Sequence, residues 1–307
     1  MTRPSSARIT DASQGEPESH RRLSRVSGIR SFELGELKIS YVPDGAVALK
    51  PLGWLADSTE EYWAAHPEYL DATGNLVASI GGLLVEHGER ALLIDAGFGP
   101  QAWPADPEHP FIGAIHGGEL LDHLAALGRE PEEIEAVAFT HLHTDHLGWA
   151  CLPVPGTDRI AFAGARYLFS EAEWAHRRPN AAHGVTQEML TTLEPQVRTV
   201  VDGEEIFPGV RALLTPGHTP GHTAYTITSG GRRLIAFGDA MHTSVQIDHP
   251  DWSAGPDHDP LESAVHRRRL VAELARPDTI GFGVHFADVV FGRVRPNTDG
   301  PAWHPEP

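Results

Sequence analysis

The segment Thr140-His141-Leu142-His143-Thr144-Asp145-His146-Leu147-Gly148 is the most informative stretch of this chain. It continues an apolar run, residues 134–140, that the sequence predicts as a β-strand. In an extended backbone the first two histidines project to the same side, and a turn after them lets the aspartate and the third histidine face a second point nearby. Imidazole and carboxylate groups suit Zn²⁺, Fe and Mn²⁺. Four such groups at one strand end predict a metal site rather than a histidine-rich surface loop.

Four other segments place polar residues at strand ends or in Gly/Pro loops, where functional side chains concentrate. They are Leu93-Ile94-Asp95-Ala96-Gly97, Thr215-Pro216-Gly217-His218-Thr219-Pro220-Gly221-His222, Phe237-Gly238-Asp239-Ala240 and Gly283-Val284-His285-Phe286. In this order around the pattern His-x-His-x-Asp-His, they resemble the motifs of the metallo-β-lactamase superfamily. The resemblance implies an α+β fold, a four-layer αββα sandwich with its metal site at one edge.

The resemblance also implies a binuclear centre with two divalent metal ions and seven ligands. His141, His143 and His218 would hold one ion, Asp145, His146 and His285 the other, and Asp239 would bridge them. The two aspartates, Asp145 and Asp239, are assigned a catalytic role as well. Charge balance supports the ligand set, because these aspartates with one hydroxide offset most of the charge of two divalent ions. Zn²⁺ is the expected metal, although the same ligands accept Fe, Mn²⁺ or Co²⁺.

Four neighbours of these ligands receive supporting roles. Asp95 and His222 are predicted to hydrogen-bond to ligands without binding metal themselves. Trp149, close behind the histidine motif, and His242, close behind Asp239, are predicted to contact the substrate. For His242, an ordinary loop histidine is an equal alternative.

The implied reaction is attack of a metal-bridging hydroxide on an ester, lactone, thioester or phosphotriester bond. The pattern is most similar to the lactonase, esterase and methyl-parathion-hydrolase-like branch of the superfamily, whereas β-lactamases usually have a cysteine where Asp239 stands. A glyoxalase-II-like or polyketide-type thioesterase stays open. Two rivals from other classes also stay open, an iron-dependent, persulfide-dioxygenase-like oxidoreductase and a non-catalytic metal-binding protein.

Composition narrows the partners. The 307 residues carry 24 Lys plus Arg against 42 Asp plus Glu, a net charge of −18 that argues against nucleic acid and anionic membranes as partners. Cys151 is the only cysteine, so no intrachain disulfide can form and a cytoplasmic location is expected. The expected partner is a small molecule with an apolar part, and a homodimer is compatible with the sequence.

Three regions are predicted along the chain: a flexible N-terminal arm over 1–31, a hydrolase domain over 32–292 and a polar, irregular C-terminal tail over 293–307. Helices are predicted at 54–69 (with Ser58 as N-cap), 117–127, 170–193 and 260–275. A hairpin is predicted over 82–95, and further strands at 37–42, 134–140, 210–214, 234–237 and 279–284.

Overall fold

Two β-sheets lie face to face in the computed structural model, which describes residues 18–180, 183–298 and 300–306. The first sheet contains β1 (Arg30–Leu34), β2 (Leu37–Leu49), β3 (Leu76–His87), β4 (Arg90–Ile94), β5 (Ala102–Trp103), β6 (Ile112–His116), β7 (Ala136–Ala138), β8 (Arg166–Ser170) and β9 (Val197–Val200). Its order is β5-β6-β2-β3-β4-β7-β8-β9, with β1 paired to β2. The second sheet contains, in this order, β10 (Glu205–Phe207), β11 (Val210–Leu214), β12 (Thr223–Ser229), β13 (Arg232–Ala236), β14 (Thr279–Phe282), β15 (Phe291–Asn297) and β16 (Gly300–Pro305).

The described residues also form nine α-helices. They are α1 (Glu18–Arg21), α2 (Pro51–Trp54), α3 (Glu60–Ala65), α4 (Leu120–Ala126), α5 (Thr144–Cys151), α6 (Glu171–Ala175), α7 (Gln187–Leu193), α8 (Val245–Asp248) and α9 (Pro260–Leu274). Short 3-10 turns occupy 22–24, 67–69, 131–133, 194–196 and 238–240.

The central strands are buried on both faces, which explains their nearly continuous apolar sequence. Successive side chains of a strand point to opposite faces. In β4, Leu92 and Ile94 therefore enter the core between the sheets, whereas Leu93 packs beneath α4, α5 and α7. In β13, Leu234 lies between the sheets and Ile235 packs against α9. The predicted four-layer αββα sandwich is confirmed.

Two predicted helices are broken. Over 54–69 the chain forms only the end of α2, α3 and a 3-10 turn, because Pro67 disfavours a helical His66 before it. Thr59, not Ser58, caps α3 by accepting a hydrogen bond from the Tyr62 amide. Over 170–193, α6 and α7 are separate helices, and a loop containing Pro179 and Gly184, whose φ is +70°, lies between them.

The C-terminal tail is a β-hairpin rather than an irregular segment. Strands β15 and β16 pair along residues 292–305 and extend the second sheet beyond β14. The Trp303 ring lies where a side chain on Gly281 or Gly292 would stand, and its indole N–H donates to the Val289 carbonyl oxygen at 2.9 Å. The hairpin thus pairs with β14 and forms the outer edge of the second sheet.

The described part of the N-terminal arm, residues 18–31, also contacts the domain; residues 1–17 lie outside the described residues. Arg25 and Arg30 form ion pairs with the carboxylate of Asp288 at 2.6 and 2.5 Å, and Arg22 approaches it at 3.6 Å. Side-chain contacts with Asp288 therefore join this segment to the loop after β14. Throughout the described residues, helices are too short or too polar to cross a membrane.

The strand order places the candidate residues at a common edge. Asp95 follows β4 and the histidine motif follows β7, and these two strands are parallel neighbours. Asp239 follows β13 and His285 follows β14, which are also parallel neighbours. The carboxyl ends of parallel strands open onto one edge of a sheet, so loops from both sheets meet there.

Candidate metal centre and active site

The histidine motif changes from strand to helix within a few residues. His141 lies in the loop after β7, His143 is the N-cap residue of α5 in an extended conformation, and Asp145 and His146 lie in the first turn of α5. Because the chain changes direction here, the side chains of the motif are directed at two neighbouring points.

Two groups of potential ligands form at this edge. The first ligand group contains His141, His143, His218 and Asp239, and the second ligand group contains Asp145, His146 and His285. Within each group the ligand atoms lie within 4.8 Å of one another. The structure therefore brings together all seven side chains selected from the sequence, from segments nearly 150 residues apart.

Asp239 lies between the two groups. Its Oδ1 is 3.2 Å from His146 Nε2 and 3.1 Å from His285 Nε2. Its Oδ2 is 3.4 Å from His218 Nε2 and 3.7 Å from His141 Nε2. Each oxygen thus faces a different set of imidazoles, as a bridging carboxylate requires.

The donor set fits divalent cations. His141 Nε2, His146 Nε2 and Asp239 Oδ1 are buried and have no hydrogen-bond partner among the described residues, although such atoms are costly to leave unsatisfied. In a tetrahedral site with bonds of about 2.0–2.1 Å, ligand atoms lie about 3.3 Å apart. The separation of 3.1 Å between His218 Nε2 and His143 Nδ1 is close to that value.

The electrostatics of the centre differ between its histidines. Burial lowers the pKa of His141 and His143 well below the ordinary histidine value, so these rings are neutral and can use a lone pair. Burial opposes ionisation of Asp239, but the imidazoles around it lower its pKa well below the usual range. Burial opposes protonation of His146, but the neighbouring carboxylates of Asp239, Asp145 and Asp95 outweigh burial, so its pKa lies well above the ordinary histidine value. Carboxylates gathered in this way also attract metal cations.

A cavity of about 420 Å³ opens onto both ligand groups. Its apolar wall includes Val47, Leu49, Trp54, Trp103, Phe111, Ile112 and Ile115, and its polar end includes His143, Asp145, His218, Asp239, His242 and His285. An apolar chamber with a few convergent polar groups is typical of a small-molecule site.

Comparison with known proteins agrees with this geometry. The model of the metallo-beta-lactamase superfamily matches residues 83–283, about two thirds of the chain. The chain belongs to the metallo-beta-lactamase superfamily. The match confirms the family predicted from the motifs, and the ligand groups add what that family needs for metal-dependent hydrolysis.

Several curated relatives are lactonases. An N-acyl homoserine lactonase from Bacillus sp is 27% identical over 207 residues, covering 63% of this chain and 76% of the relative. The N-acyl homoserine lactonase AiiB from Agrobacterium fabrum is 27% identical over 225 residues, covering 66% of this chain and 78% of the relative.

Solved structures with the same fold include AidC, a dizinc quorum-quenching lactonase in complex with a homoserine product. Its TM-score is 0.76 at 24% identity, over 92% of this chain and 99% of that one. The hydrolase AbOPH aligns with a TM-score of 0.74 at 24% identity, over the same shares of the two chains. At this identity the two structures support the fold. Family and ligand groups together make the chain a metal-dependent hydrolase.

Hydrogen bonds from neighbouring residues orient the candidate ligands. Asp95 Oδ2 is 2.9 Å from His146 Nδ1, and Asp95 also accepts the amide and hydroxyl of Thr140. His285 Nδ1 lies 2.8 Å from the carbonyl oxygen of Ser79. Such partners fix the ring orientation and the tautomer of a ligand histidine.

His222 lies outside both ligand groups, and its two ring nitrogens are already engaged. Its Nε2 accepts the Asp239 amide N–H at 3.0 Å, and its Nδ1 lies 2.8 Å from Thr215 Oγ1. Burial lowers the pKa of His222 to about 3, so the ring is neutral. His222 therefore positions the loop that carries Asp239.

The two predicted substrate contacts have different positions. His242 lines the cavity, and its Nε2 is 3.2 Å from Asp239 Oδ2. Trp149 is instead buried in the core, and its indole N–H donates to Asp44 Oδ1 at 2.8 Å. The prediction for Trp149 is corrected because α5 begins at Thr144, and the helix directs the tryptophan into the core away from the cavity.

Several buried acids near the centre were not predicted. Asp257 Oδ1 lies 2.8 Å from His218 Nδ1, and Glu173 accepts the amides of Leu142 and Gly221 and the hydroxyl of Thr219. Neither acid belongs to a recognisable motif. The only local signal for Glu173 is its place in the first turn after Ser170, the residue that caps α6.

Asp44 is a third buried acid that sequence reasoning missed. Its carboxylate accepts the backbone amides of Phe98, Gly99, Gly118 and Leu120 in addition to the Trp149 indole. The residue types of Pro43-Asp44-Gly45 favour a turn, but in the structure these residues continue through β2. Asp44 therefore joins β2, the loop after β4, α4 and α5 close to the ligand-bearing segments.

Proposed function

We propose that this hydrolase holds two divalent metal ions, with zinc as the expected metal, and cleaves the ester bond of a lactone or a related ester. The proposal rests on the position of Asp239. One of its oxygens faces each ligand group, and the carboxylate lies at the polar end of an apolar cavity. A single cation would not need such a bridge.

The ligand residues each have a defined task in this proposal. Two bound divalent ions supply Lewis acidity and lower the pKa of a water molecule towards neutrality. The imidazoles of both groups hold their lone pairs towards the centre, and Asp95 and Asp257 keep two of the rings in orientation. Because the proposed nucleophile is water, no serine or cysteine nucleophile is required.

The apolar wall of the cavity suits a substrate that carries an apolar group. Trp54 and Phe111 stand edge to face with ring centroids 6.5 Å apart, and both contribute to the wall. Such a surface suits an acyl or aryl group. The relatives that are N-acyl homoserine lactonases make an N-acyl lactone the first substrate to test. His242, at the polar end, is proposed to contact the substrate near the scissile bond.

Metal analysis combined with an anaerobic assay tests the proposal. Protein expressed with added zinc is expected to contain close to two ions per chain. It should hydrolyse lactones or aryl esters without flavin, thiol or oxygen. Chelation should abolish turnover, and added divalent metal should restore it.

Three results would count against the proposal. Reproducible metal content near zero would remove its basis, and turnover that continues after proven metal removal would exclude the mechanism. One iron per chain with a strict requirement for oxygen and a persulfide would identify an oxidoreductase instead.

A further inference from the structure

A second, smaller cavity of about 220 Å³ borders the same metal centre. It shares His143, His183, His218 and Pro256 with the apolar cavity. Its other walls include His176, Arg177, Arg178, His258, Thr219 and Glu173. The two ligands His143 and His218 are therefore reached from two cavities of different chemistry.

The second cavity is basic in a strongly acidic chain. The whole chain has a net charge of −18, yet two arginines, Arg177 and Arg178, line this cavity. Arg177 stacks on Trp174 at 4.4 Å and reaches Glu194 at 3.3 Å, which leaves part of its charge engaged elsewhere. Within the described residues, Arg178 has no ion pair and its side chain is exposed. Arg178 is thus a cation available to a ligand.

The carboxylate of Glu173, which also lines this cavity, is hydrogen-bonded to neutral donors. Its Oε1 accepts the Leu142 amide at 2.8 Å, and its Oε2 accepts the Thr219 hydroxyl at 2.7 Å and the Gly221 amide at 2.9 Å. The side chain is 3% exposed. Its oxygens are therefore directed at the two ligand-bearing loops, and among the described lining residues it is the one acidic side chain.

His183 separates the two cavities. Its ring stacks on His143 with centroids 3.9 Å apart and an angle of 8° between the planes, and it lines both cavities. Gly184 beside it, at φ +70°, approaches Thr144 so closely that a Cβ would lie 2.8 Å from the Thr144 methyl group. This contact holds the dividing wall against the start of α5.

We infer that the basic cavity binds an anionic group, a carboxylate or a phosphate, carried by the substrate on the side of the scissile bond opposite its apolar part. The inference rests on the proposed ester hydrolysis and adds a second specificity element to it. A guanidinium forms charge-assisted hydrogen bonds with both anions. The preferred substrate is then a molecule with an apolar end and an anionic end, cleaved between them.

The kinetic test uses matched esters on metal-loaded protein. One ester carries a carboxylate, a second carries a phosphate, and a third is the neutral amide of the first. The wild-type protein should prefer at least one of the charged esters in kcat/KM. Arg178→Gln should lower that preference about tenfold, the effect of one lost charge-assisted hydrogen bond. Arg178→Lys should recover part of it.

An exposed arginine on β15, Arg295, provides the control, since Arg295→Gln also removes one positive charge but lies outside both cavities. If Arg178→Gln and Arg295→Gln change the preference equally, the effect is long-range electrostatics and the inference is wrong. An unchanged preference in Arg178→Gln would also overturn it. Comparing the carboxylate and phosphate esters identifies which anion the cavity takes.

A binding experiment separates this inference from the proposed function. Inorganic phosphate and succinate are titrated into metal-loaded wild-type, Arg178→Gln and Arg295→Gln protein by calorimetry. About tenfold weaker binding of one anion in Arg178→Gln alone supports the anion site even if no ester is hydrolysed. Equal affinity in all three proteins means that the anions bind only elsewhere, including the metals, and excludes the site.

Discussion

The two ligand groups are supported in different ways. In the first ligand group, buried acids support the histidines. Asp257 hydrogen-bonds to His218, and Glu173 hydrogen-bonds to both the loop of His141 and the loop of His218. Both acids are almost completely buried. The second ligand group has one buried acid, Asp95 on His146, but His285 depends on a backbone carbonyl.

The support of His285 reaches the periphery of the protein. The Ser79 carbonyl accepts from the His285 ring, the Ser79 hydroxyl donates to the Ala287 carbonyl at 2.9 Å, and the Ser27 amide donates to that hydroxyl at 3.0 Å. Arginines of the N-terminal segment hold Asp288, three residues beyond the ligand. We therefore expect the second ligand group to be the easier one to disturb from a distance.

The largest effect is expected from the residue that the two groups share. Asp239→Ala removes an anion from between two cations, so metal content should fall and activity should drop more than about 100-fold. His222→Ala, which removes a support outside both groups, should cost less, about 10–100-fold. Elemental analysis and kcat measure both variants, with the exposed His304→Ala as control. If both variants were equally inactive and equally metal-poor, the distinction between ligand and support would be wrong.

The second prediction tests each ligand group through the acid that hydrogen-bonds to one of its histidines. Asp257→Asn should weaken metal binding in the first ligand group, and Asp95→Asn in the second, each about 10–100-fold. Asparagine tolerates the left-handed backbone of Asp95, whose φ is 63°, so the second variant tests the charge rather than the backbone. Cadmium NMR, with one resonance for each site, reports which ion is lost. Loss of the same resonance in both variants would contradict the division into two groups.

The third prediction concerns the peripheral support of His285. Asp288→Asn leaves the arginines Arg25 and Arg30 without their carboxylate and should lower the free energy of unfolding by about 1–3 kcal/mol. Metal affinity in the second ligand group should fall with it, whereas the first group keeps its ion. The control is Asp251→Asn, which breaks an exposed pair with Arg268 and should cost less than about 1 kcal/mol. Equal losses in both variants would show that Asp288 has no special role.

The smallest expected effect is the pH dependence of the stability that the Asp288 ion pairs contribute. Burial alone would raise the pKa of Asp288, but the hydrogen bonds from Arg30 and Arg25 outweigh burial. The folded pKa therefore lies below the usual value. Its stabilising contribution is therefore complete above the unfolded pKa of about 3.9 and is lost as pH falls through the folded pKa. The difference in unfolding free energy between wild type and Asp288→Asn should be constant near neutrality and shrink below about pH 4. A difference that grows on acidification would contradict the assignment.

Local sequence was sufficient for the strongest elements. Strand β11 has the predicted bounds 210–214, α9 lies at Pro260–Leu274 against a prediction of 260–275, and β3 and β4 contain the predicted hairpin. These segments have clear apolar periodicity, and their ends carry turn or capping residues such as Asp259. The weaker predictions failed where tertiary contacts decide the conformation, as in the hairpin of β15 and β16, which forms against β14.

The sequence by itself determined the set of candidate ligands. The residue spacing within each motif and the order of the motifs along the chain can be read without knowing the structure between them. Only the tertiary structure decided how they are held and reached. Asp257 is 39 residues from His218, and Glu173 is 31 residues from Leu142, so no local pattern joins these partners. The place of Trp149 in the core was decided in the same way, by the start of α5 and the carboxylate of Asp44. Side-chain spacing is a local property of the chain, whereas the partner of a buried polar group depends on which loops the two sheets bring to one edge.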